Sequence, residues 1–430
     1  MKIKLKNIGM LQEAELDLNS LTLIAGENDN GKSTIGKVIF CIIKAINRYK
    51  EELNESKEHK LEERLENLFF LLRVIGVVQK TLFDSEGLSF RFLLNRNIDI
   101  DERLSAIEEH LSSFESQIKE SDIKKIKKTI EEIKDIKQAP EDEKKYIESA
   151  LNKAFFSEFD SSILLNGEED GQITLFENKL ELINIKISKD NKISLIGEVE
   201  PIQLKDATFI ETPLILNNHD LLIRSQSGLS LNKRNIERLG VPYTTLHTKD
   251  LFDKLKLPHY ELFLDGALEI DFLIEIQNII DGYISYDNQK KDFTYSKNKK
   301  EISIKNTASG IKSFGILQLL LVNRILNPNS ILIIDEPENH LHPKWQLKYA
   351  KILVALAKNN IKVLLASHSP YMIEAIKRYS DLDDLEQDTN FYLAKNSIIE
   401  PKNKLEEIFR TLEEPFEIFR QMDMEVLKDE

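Results

Sequence analysis

The spacing of apolar residues changes period several times along the chain, and each change predicts an element. Lys2 to Ile8 and Ala14 to Leu18 alternate apolar and polar positions and predict an antiparallel strand pair. Leu21 to Ala25 is an unbroken apolar run, the pattern of a fully buried strand. Ile35, Val38, Ile39, Ile42, Ile43 and Ile46 then fall at helical spacing, and Leu61, Leu65, Leu68, Leu72 and Ile75 predict a further helix. Leu104, Ile107, Leu111, Phe114 and Ile118 step by three and four, as in a coiled-coil seam. The seam restarts as Ile123, Ile126, Ile130 and Ile133 after an expected N-cap at Ser121-Asp122. Pro140, followed by Glu141, Asp142 and Glu143, predicts the start of a third helix. Residues 47–157 thus read as a helical insertion containing a short hairpin, with arms roughly 25–30 Å long.

Beyond residue 171 the period becomes two. Gln172–Phe176, Leu180–Ile187 and Lys192–Ile196 predict an antiparallel layer, and Ala207 to Ile210 a further short strand. Leu214 to Leu257 looks helical and irregular, and Asp271 to Ile280 predicts a helix. Tyr283–Tyr286, Asp292–Tyr295 and Glu301–Ile304 predict a small sheet. Two more apolar runs, Ile331 to Ile334 and Ile361 to Ala366, predict buried strands, and Pro343 opens a helix between them. Asn390–Ala394 predicts a last strand, followed by helical segments at Leu405–Leu412 and Phe416–Met422. The expected fold class is α/β, a mixed sheet core with an antiparallel β-layer and an inserted helical subdomain. The expected organisation is one discontinuous head. Residues 1–46 and 158–213 form its first lobe and 47–157 the insertion. Residues 214–305 form a second lobe, 306–400 a region rich in motifs, and 401–430 the C-terminal helices.

Composition narrows the setting. At 430 residues the chain can bury two or three domains' worth of core. Cys41 is the only cysteine, so an internal disulfide is excluded and a reducing, cytoplasmic setting is expected. The N-terminus lacks the apolar core of a signal peptide, and no apolar run approaches the ~18–20 residues that span a bilayer. A net charge of −14 disfavours a broad surface coating nucleic acid. Lys124, Lys125, Lys127 and Lys128 cluster on the second hairpin arm, where a solvated helix face accounts for them more readily than a DNA contact.

The chemistry concentrates first at Gly26 to Thr34, GENDNGKST, which fits G-x-x-x-x-G-K-[ST] between a strand and a helix. In that pattern the glycines let successive backbone N–H groups turn inward on a phosphate chain, aided by the helix N-terminus, and Gly26, Asn28, Asn30, Gly31 and Thr34 are expected nucleotide-binding residues. Lys32 reaches the β- and γ-phosphates, and the Ser33 hydroxyl holds Mg²⁺. The second concentration is Ser330 to Pro343, SILIIDEPENHLHP. Asp335 ends a buried strand, suited to the Mg²⁺–water shell. Glu336 follows as the expected base that orients and deprotonates the attacking water. The third is His368, just beyond the strand Ile361 to Ala366, at the sheet edge where ligands bind. His340 and His342 would suit a metal pair, but no third ligand has suitable spacing.

GENDNGKST, TASGIKS, LIIDEPENHLHP and LLASHSP, in this order from residue 26 to 370, resemble the ABC-type ATPase superfamily, and most closely its RecF/OLD branch. The resemblance implies ATP and Mg²⁺ as cofactors and ATP sandwiched between two heads. It assigns Gly26, Asn30, Gly31, Lys32, Ser33 and Thr34 to the nucleotide site, Asp335 to the metal, and Glu336 and His368 to catalysis. Ser309 and Gly310 match the signature that meets the other head's nucleotide, although Ala308 stands where a transporter-type signature has serine. The family's glutamine loop falls near Glu211, with no glutamine adjacent. About 60 residues follow the His368 strand, too few for the nuclease domain of OLD relatives. The chain therefore resembles stand-alone ATPase subunits of bacterial antiphage systems of the Septu and PARIS kind. That resemblance implies a homodimer or higher even oligomer, a separate effector protein such as a nuclease, and no membrane partner. Direct action on nucleic acid, as by a RecF-like repair ATPase, is the alternative. A non-hydrolysing scaffold and a transporter subunit fit less well.

Overall fold

Five parallel strands form one half of an eleven-stranded mixed sheet, in order from its edge Asp206–Ile210, Ser330–Asp335, Lys362–Ser367, Leu21–Ala25 and Thr389–Lys395. Leu21–Ala25 is buried at every position and Ser330–Asp335 at all but its last, as expected of strands covered on both faces. The short strand Ile398–Ile399 joins this half to the antiparallel half, which runs Leu11–Asp17, Lys2–Ile8, Asp170–Glu177, Leu180–Ser188, Ile193–Leu195. In that half, buried and open positions largely alternate along Lys2–Ile8. The computed structural model describes residues 1–75, 98–114, 119–138, 143–160, 162–224, 244–257, 267–401 and 403–426.

Parallel pairing puts every carboxyl end on one edge. The register sets Ser367 beside Ala25, Asp335 beside Ala366, and Ile334 beside Ile210. The residues that follow these strands therefore meet in one place: Gly26 to Thr34, Asp335 and Glu336, His368, and Glu211. This is where open α/β sheets bind ligands.

A second sheet, Tyr283–Asp287, Asp292–Lys297 and Lys300–Ser303, is antiparallel. It is fixed to the helix Ser309–Val322 by buried Gln318, which donates to the Ile284 carbonyl at 3.1 Å and accepts from the Ile284 amide at 3.1 Å. A Cβ built on Gly315 would lie 2.0 Å from the Ile284 side chain, so only glycine allows the contact.

The chain divides into two compact units, Arg48–Tyr146 and Met1–Asn47 with Ile147–Glu430. Within the first, Leu61, Leu65, Leu68 and Leu72 pack with Leu104, Ile107, Leu111, Ile126, Ile130 and Ile133 into a core of its own. The two seam helices, Ile100–Phe114 and Glu120–Gln138, are joined by Lys134–Glu108 and Lys137–Asp101 ion pairs, and Leu61 to Leu72 pack on them as a third helical segment.

Several elements differ from the sequence expectation. The two helices expected before residue 76 are one, Lys32–Ile75, because residues 49–60 are rich in Glu and Lys and carry neither Gly nor Pro. The helix expected to begin after Ser121-Asp122 begins at Glu120, with Glu120 and Asp122 in a first turn that favours acids. Leu405–Val426 is a single helix that continues through Pro415. The turn around Pro140, the seam end near Ile118 and residues 225–243 lie outside the described residues.

Candidate active site

Two glycines make the loop after Leu21–Ala25 possible. Gly26 has φ +148°, and a Cβ there would lie 2.3 Å from the Ala394 carbonyl oxygen. Gly31 has φ +79°, and a Cβ would lie 2.6 Å from Leu11. Both positions combine a backbone conformation that disfavours side chains with a neighbour that leaves no room for one. Asn30 braces the turn, its side-chain amide donating to the carbonyls of Glu27 and Asn28 at 3.3 and 3.2 Å.

Lys32 opens the following helix, and its ammonium donates to the carbonyls of Gly26 at 2.9 Å and Glu27 at 2.6 Å. Burial lowers its pKa, against the raising influence of the Glu336, Asp335 and Glu338 carboxylates. The three acids and the lysine therefore share one electrostatic neighbourhood.

Asp335 ends its strand with a largely buried carboxyl. Burial raises its pKa and the Ser33 hydroxyl hydrogen bond lowers it, leaving it above the ordinary carboxylate value. One of its oxygens, Oδ1, is sealed from solvent and has no hydrogen-bond partner. A buried carboxylate oxygen without a donor, beside a serine hydroxyl, is the donor set of a small hard cation such as Mg²⁺.

Glu336 adopts φ +47°, a conformation uncommon for a non-glycine residue and found at functional sites. Its amide donates to the Ala366 carbonyl at 2.8 Å, and its Oε2 accepts from Asn339 at 2.6 Å. His368 Nδ1 lies 3.5 Å from Glu336 Oε1 and 3.3 Å from Glu338 Oε1. A cavity of about 490 Å³ opens against the first half of the loop, walled by Gly26, Glu27, Asn28 and His368 and faced by Ile408 and Leu412.

Gly26 to Thr34, Asp335, Glu336 and His368 are thus together at one edge. Ser309 and Gly310 are not part of that cluster. They begin the helix Ser309–Val322, and Gly310 is buried against Trp345, where a Cβ would come within 2.9 Å of the indole. His342 caps the helix Pro343–Lys358 by accepting from the Lys344 amide at 3.2 Å. Among the described residues no group of three or more His, Cys, Asp or Glu side chains is arranged to hold a metal.

Two features escaped the sequence reading. Glu338 is buried, and its Oε1 accepts from the Ser367 hydroxyl at 2.9 Å and the amides of His368 at 2.8 Å and Ser369 at 3.1 Å. One carboxylate thereby ties the loop carrying Glu336 to the loop carrying His368. In the sequence it is a charged residue between Pro337 and Asn339, indistinguishable from an exposed loop acid. The other feature is the chain Glu158–His247–Glu211. His247 Nδ1 lies 2.6 Å from Glu158 and Nε2 lies 3.2 Å from Glu211, while the His247 amide donates to Glu158 at 2.8 Å. Glu158 could have been found, because it continues the buried helical face of Leu151, Ala154 and Phe155.

Burial by itself would lower the His247 pKa, but hydrogen bonds to Glu158 and Glu211 outweigh it and raise the value to about 9. The folded value exceeds the unfolded one, so the contribution is complete below about 6.5 and is lost as pH rises through about 9. At about 1.4 kcal/mol per pKa unit this is up to about 3 kcal/mol. Stability measured by denaturant unfolding is expected to fall between pH 6.5 and 9.5. His247→Gln is expected to flatten that slope; an unchanged slope would show that His247 is not charged in the fold.

The family described as “AAA domain, putative AbiEii toxin, Type IV TA system” matches residues 21–374. “Retron Vc95 probable ATPase” of Vibrio cholerae serotype O1 biovar El Tor is 35% identical over 142 residues, covering 26% of this chain and 27% of that protein. “Old nuclease” of Escherichia phage P2 is 31% identical over 83 residues, covering 19% of this chain and 14% of that protein. The matches therefore span about a quarter or less of the length of these curated relatives. The Smc head domain from Pyrococcus furiosus aligns over 96% of this chain and 98% of that one, at 12% identity and a TM-score of 0.41. With the family match running from the strand before the phosphate loop to the helix after His368, the chain belongs to the AAA_21 family of ATPase domains, consistent with the ABC-type, OLD-like resemblance of its motifs.

Proposed function

We propose that the protein binds and hydrolyses ATP with Mg²⁺ in a head-to-head dimer, and that the ATP cycle controls a separate effector in bacterial antiphage defence. The observation that supports hydrolysis most is the meeting, at one sheet edge, of a phosphate loop, a buried carboxylate oxygen without a donor, and a second carboxylate beside a histidine. Ser33 and Asp335 would hold Mg²⁺, which when bound neutralises phosphate charge. Lys32 exchanges its bonds to the Gly26 and Glu27 carbonyls for the β- and γ-phosphates. Glu336, held by Asn339, accepts a proton from the attacking water. His368, positioned through Glu338, donates to the terminal phosphate. The second head supplies the Ser309-Gly310 turn, because nothing places that turn at its own loop. The defence role rests on the kinship with a retron ATPase and a phage Old protein.

Phosphate release from ATP tests the reading. Release should require Mg²⁺, stop with a chelator, and rise per chain as protein concentration increases through the dimerisation range. A rate per chain that stays constant over that range would contradict the shared site.

A further inference from the structure

The loops that carry Glu336 and His368 are joined by a closed ring of buried polar groups. Glu338 Oε1 accepts from the Ser367 hydroxyl and from the His368 and Ser369 amides, and the Ser369 amide also donates to the Ser367 hydroxyl at 3.2 Å. The Ser369 hydroxyl donates to Gln346 Oε1 at 2.7 Å, and Gln346 Nε2 donates to the Leu341 carbonyl at 3.1 Å. The Leu341 amide closes the ring on the Glu338 carbonyl at 3.0 Å. Glu338, Gln346, Ser367 and Ser369 are all buried. A buried network whose members are partnered holds the elements that it joins in one arrangement.

One atom breaks the pattern. Glu338 Oε2 is sealed from solvent and has no hydrogen-bond partner among the described residues. A brace between two loops needs only an acceptor, which a neutral amide supplies, and a dry carboxylate oxygen adds a desolvation cost. The charge has a counterpart in His368, whose Nδ1 lies 3.3 Å from the same Oε1 that takes the three donors. The His368 side chain is 44% exposed and that of Glu338 5%, so the carboxylate is the fixed point and the imidazole the part free to turn. Gln346 has no hydrogen bond to His368 among the described residues and bears on it only through Ser369.

We propose that Glu338 and Gln346 are a pair of positioning residues that hold the His368 imidazole where the terminal phosphate of the bound nucleoside triphosphate arrives. The assignment rests on the reading of His368 given above and adds to it the buried residues that act through it. Glu338 fixes the backbone of residues 367–369 and the rotation of the imidazole, and Gln346 fixes Ser369. A displacement of about 1 Å at a reacting group can cost about 10²-fold in rate. Nucleotide binding is spared, because Gly26 to Thr34 contribute nothing to the ring.

The test uses the full-length protein, with turnover read by phosphate release and affinity by a fluorescent ATP analogue. Glu338→Gln keeps the shape and removes the charge, while Gln346→Met keeps the length and removes both bonds. Each should lower kcat about 10-fold or more and leave the affinity within about threefold of the wild type. In a His368→Ala chain the same substitutions should cost less than about threefold further, because the group they position is gone. Glu338→Asp, which restores the charge one methylene short, should recover part of the loss. Should Glu338→Gln fail to fold, Gln346→Met reads the same property from the other side of the ring. Wild-type kcat in either folded variant would overturn the proposal alone. So would losses that multiply with that of His368→Ala, or that come with an equal loss of affinity, since a purely structural brace gives those results. A His368→Ala turnover within about threefold of the wild type would overturn the reading of His368 and the proposal with it.

Discussion

Glu336→Gln is expected to lower ATP turnover by about 10²–10⁴-fold while leaving ATP binding intact, the usual loss when a general base is removed. Glutamine has the size of glutamate and can still accept from Asn339, whose amide lies 2.6 Å from the present carboxylate. The backbone bond from residue 336 to the Ala366 carbonyl is unaffected, so the left-handed turn at φ +47° persists. What is lost is the capacity to take a proton. Phosphate release against equilibrium binding of ATP separates the two effects. Turnover within about threefold of the wild type would remove Glu336 from the role of base.

Lys32→Ala is expected to lose at least about 10² in ATP affinity, since each hydrogen bond from a charged donor contributes about 1.5–3 kcal/mol. Binding also stabilises the fold, so the rise in unfolding temperature that saturating MgATP gives the wild type should vanish in the variant. In the absence of nucleotide the lysine ties two carbonyls of its own loop. Some loss of stability is therefore expected in Lys32→Ala, and the affinity must be compared at a temperature where both chains are folded. Retained tight binding would show that Gly26 to Thr34 does not hold the phosphates.

Much of the site was legible because it uses short-range rules. A fully apolar strand, a glycine-bearing turn and a helix must be contiguous in sequence for the phosphate loop to exist, and Gly26, Gly31 and Lys32 carry that signal. Asp335, Glu336 and His368 were legible for a related reason: each follows a buried strand, and parallel strands bring their carboxyl ends together. Glu338 was not, because what distinguishes it is the absence of water around it and three donors from residues 367–369, about 30 positions away. His247 is joined to Glu158 and Glu211 across 89 and 36 positions, and no spacing rule links them.

The fold shows the same division. All strands of both sheets but the two-residue Ile398–Ile399 were predicted to within a few residues, because period-two and fully apolar runs depend on local burial. The order of those strands was not, because it depends on long-range pairing. The intervening position of Ile398–Ile399 between Thr389–Lys395 and Leu11–Asp17 is an example. The continuity of the helix Lys32–Ile75 is hidden because residues 49–60 offer no apolar stripe, although their composition favours a helix.

Sedimentation velocity of the full-length Glu336→Gln protein, with and without MgATP, tests the central claim most directly. If two heads enclose the nucleotide, the protein should sediment as a monomer or weak dimer without ATP and as a stable dimer, or higher even oligomer, with it. A boundary unchanged by saturating MgATP, in a protein shown to have bound the nucleotide, would contradict the account.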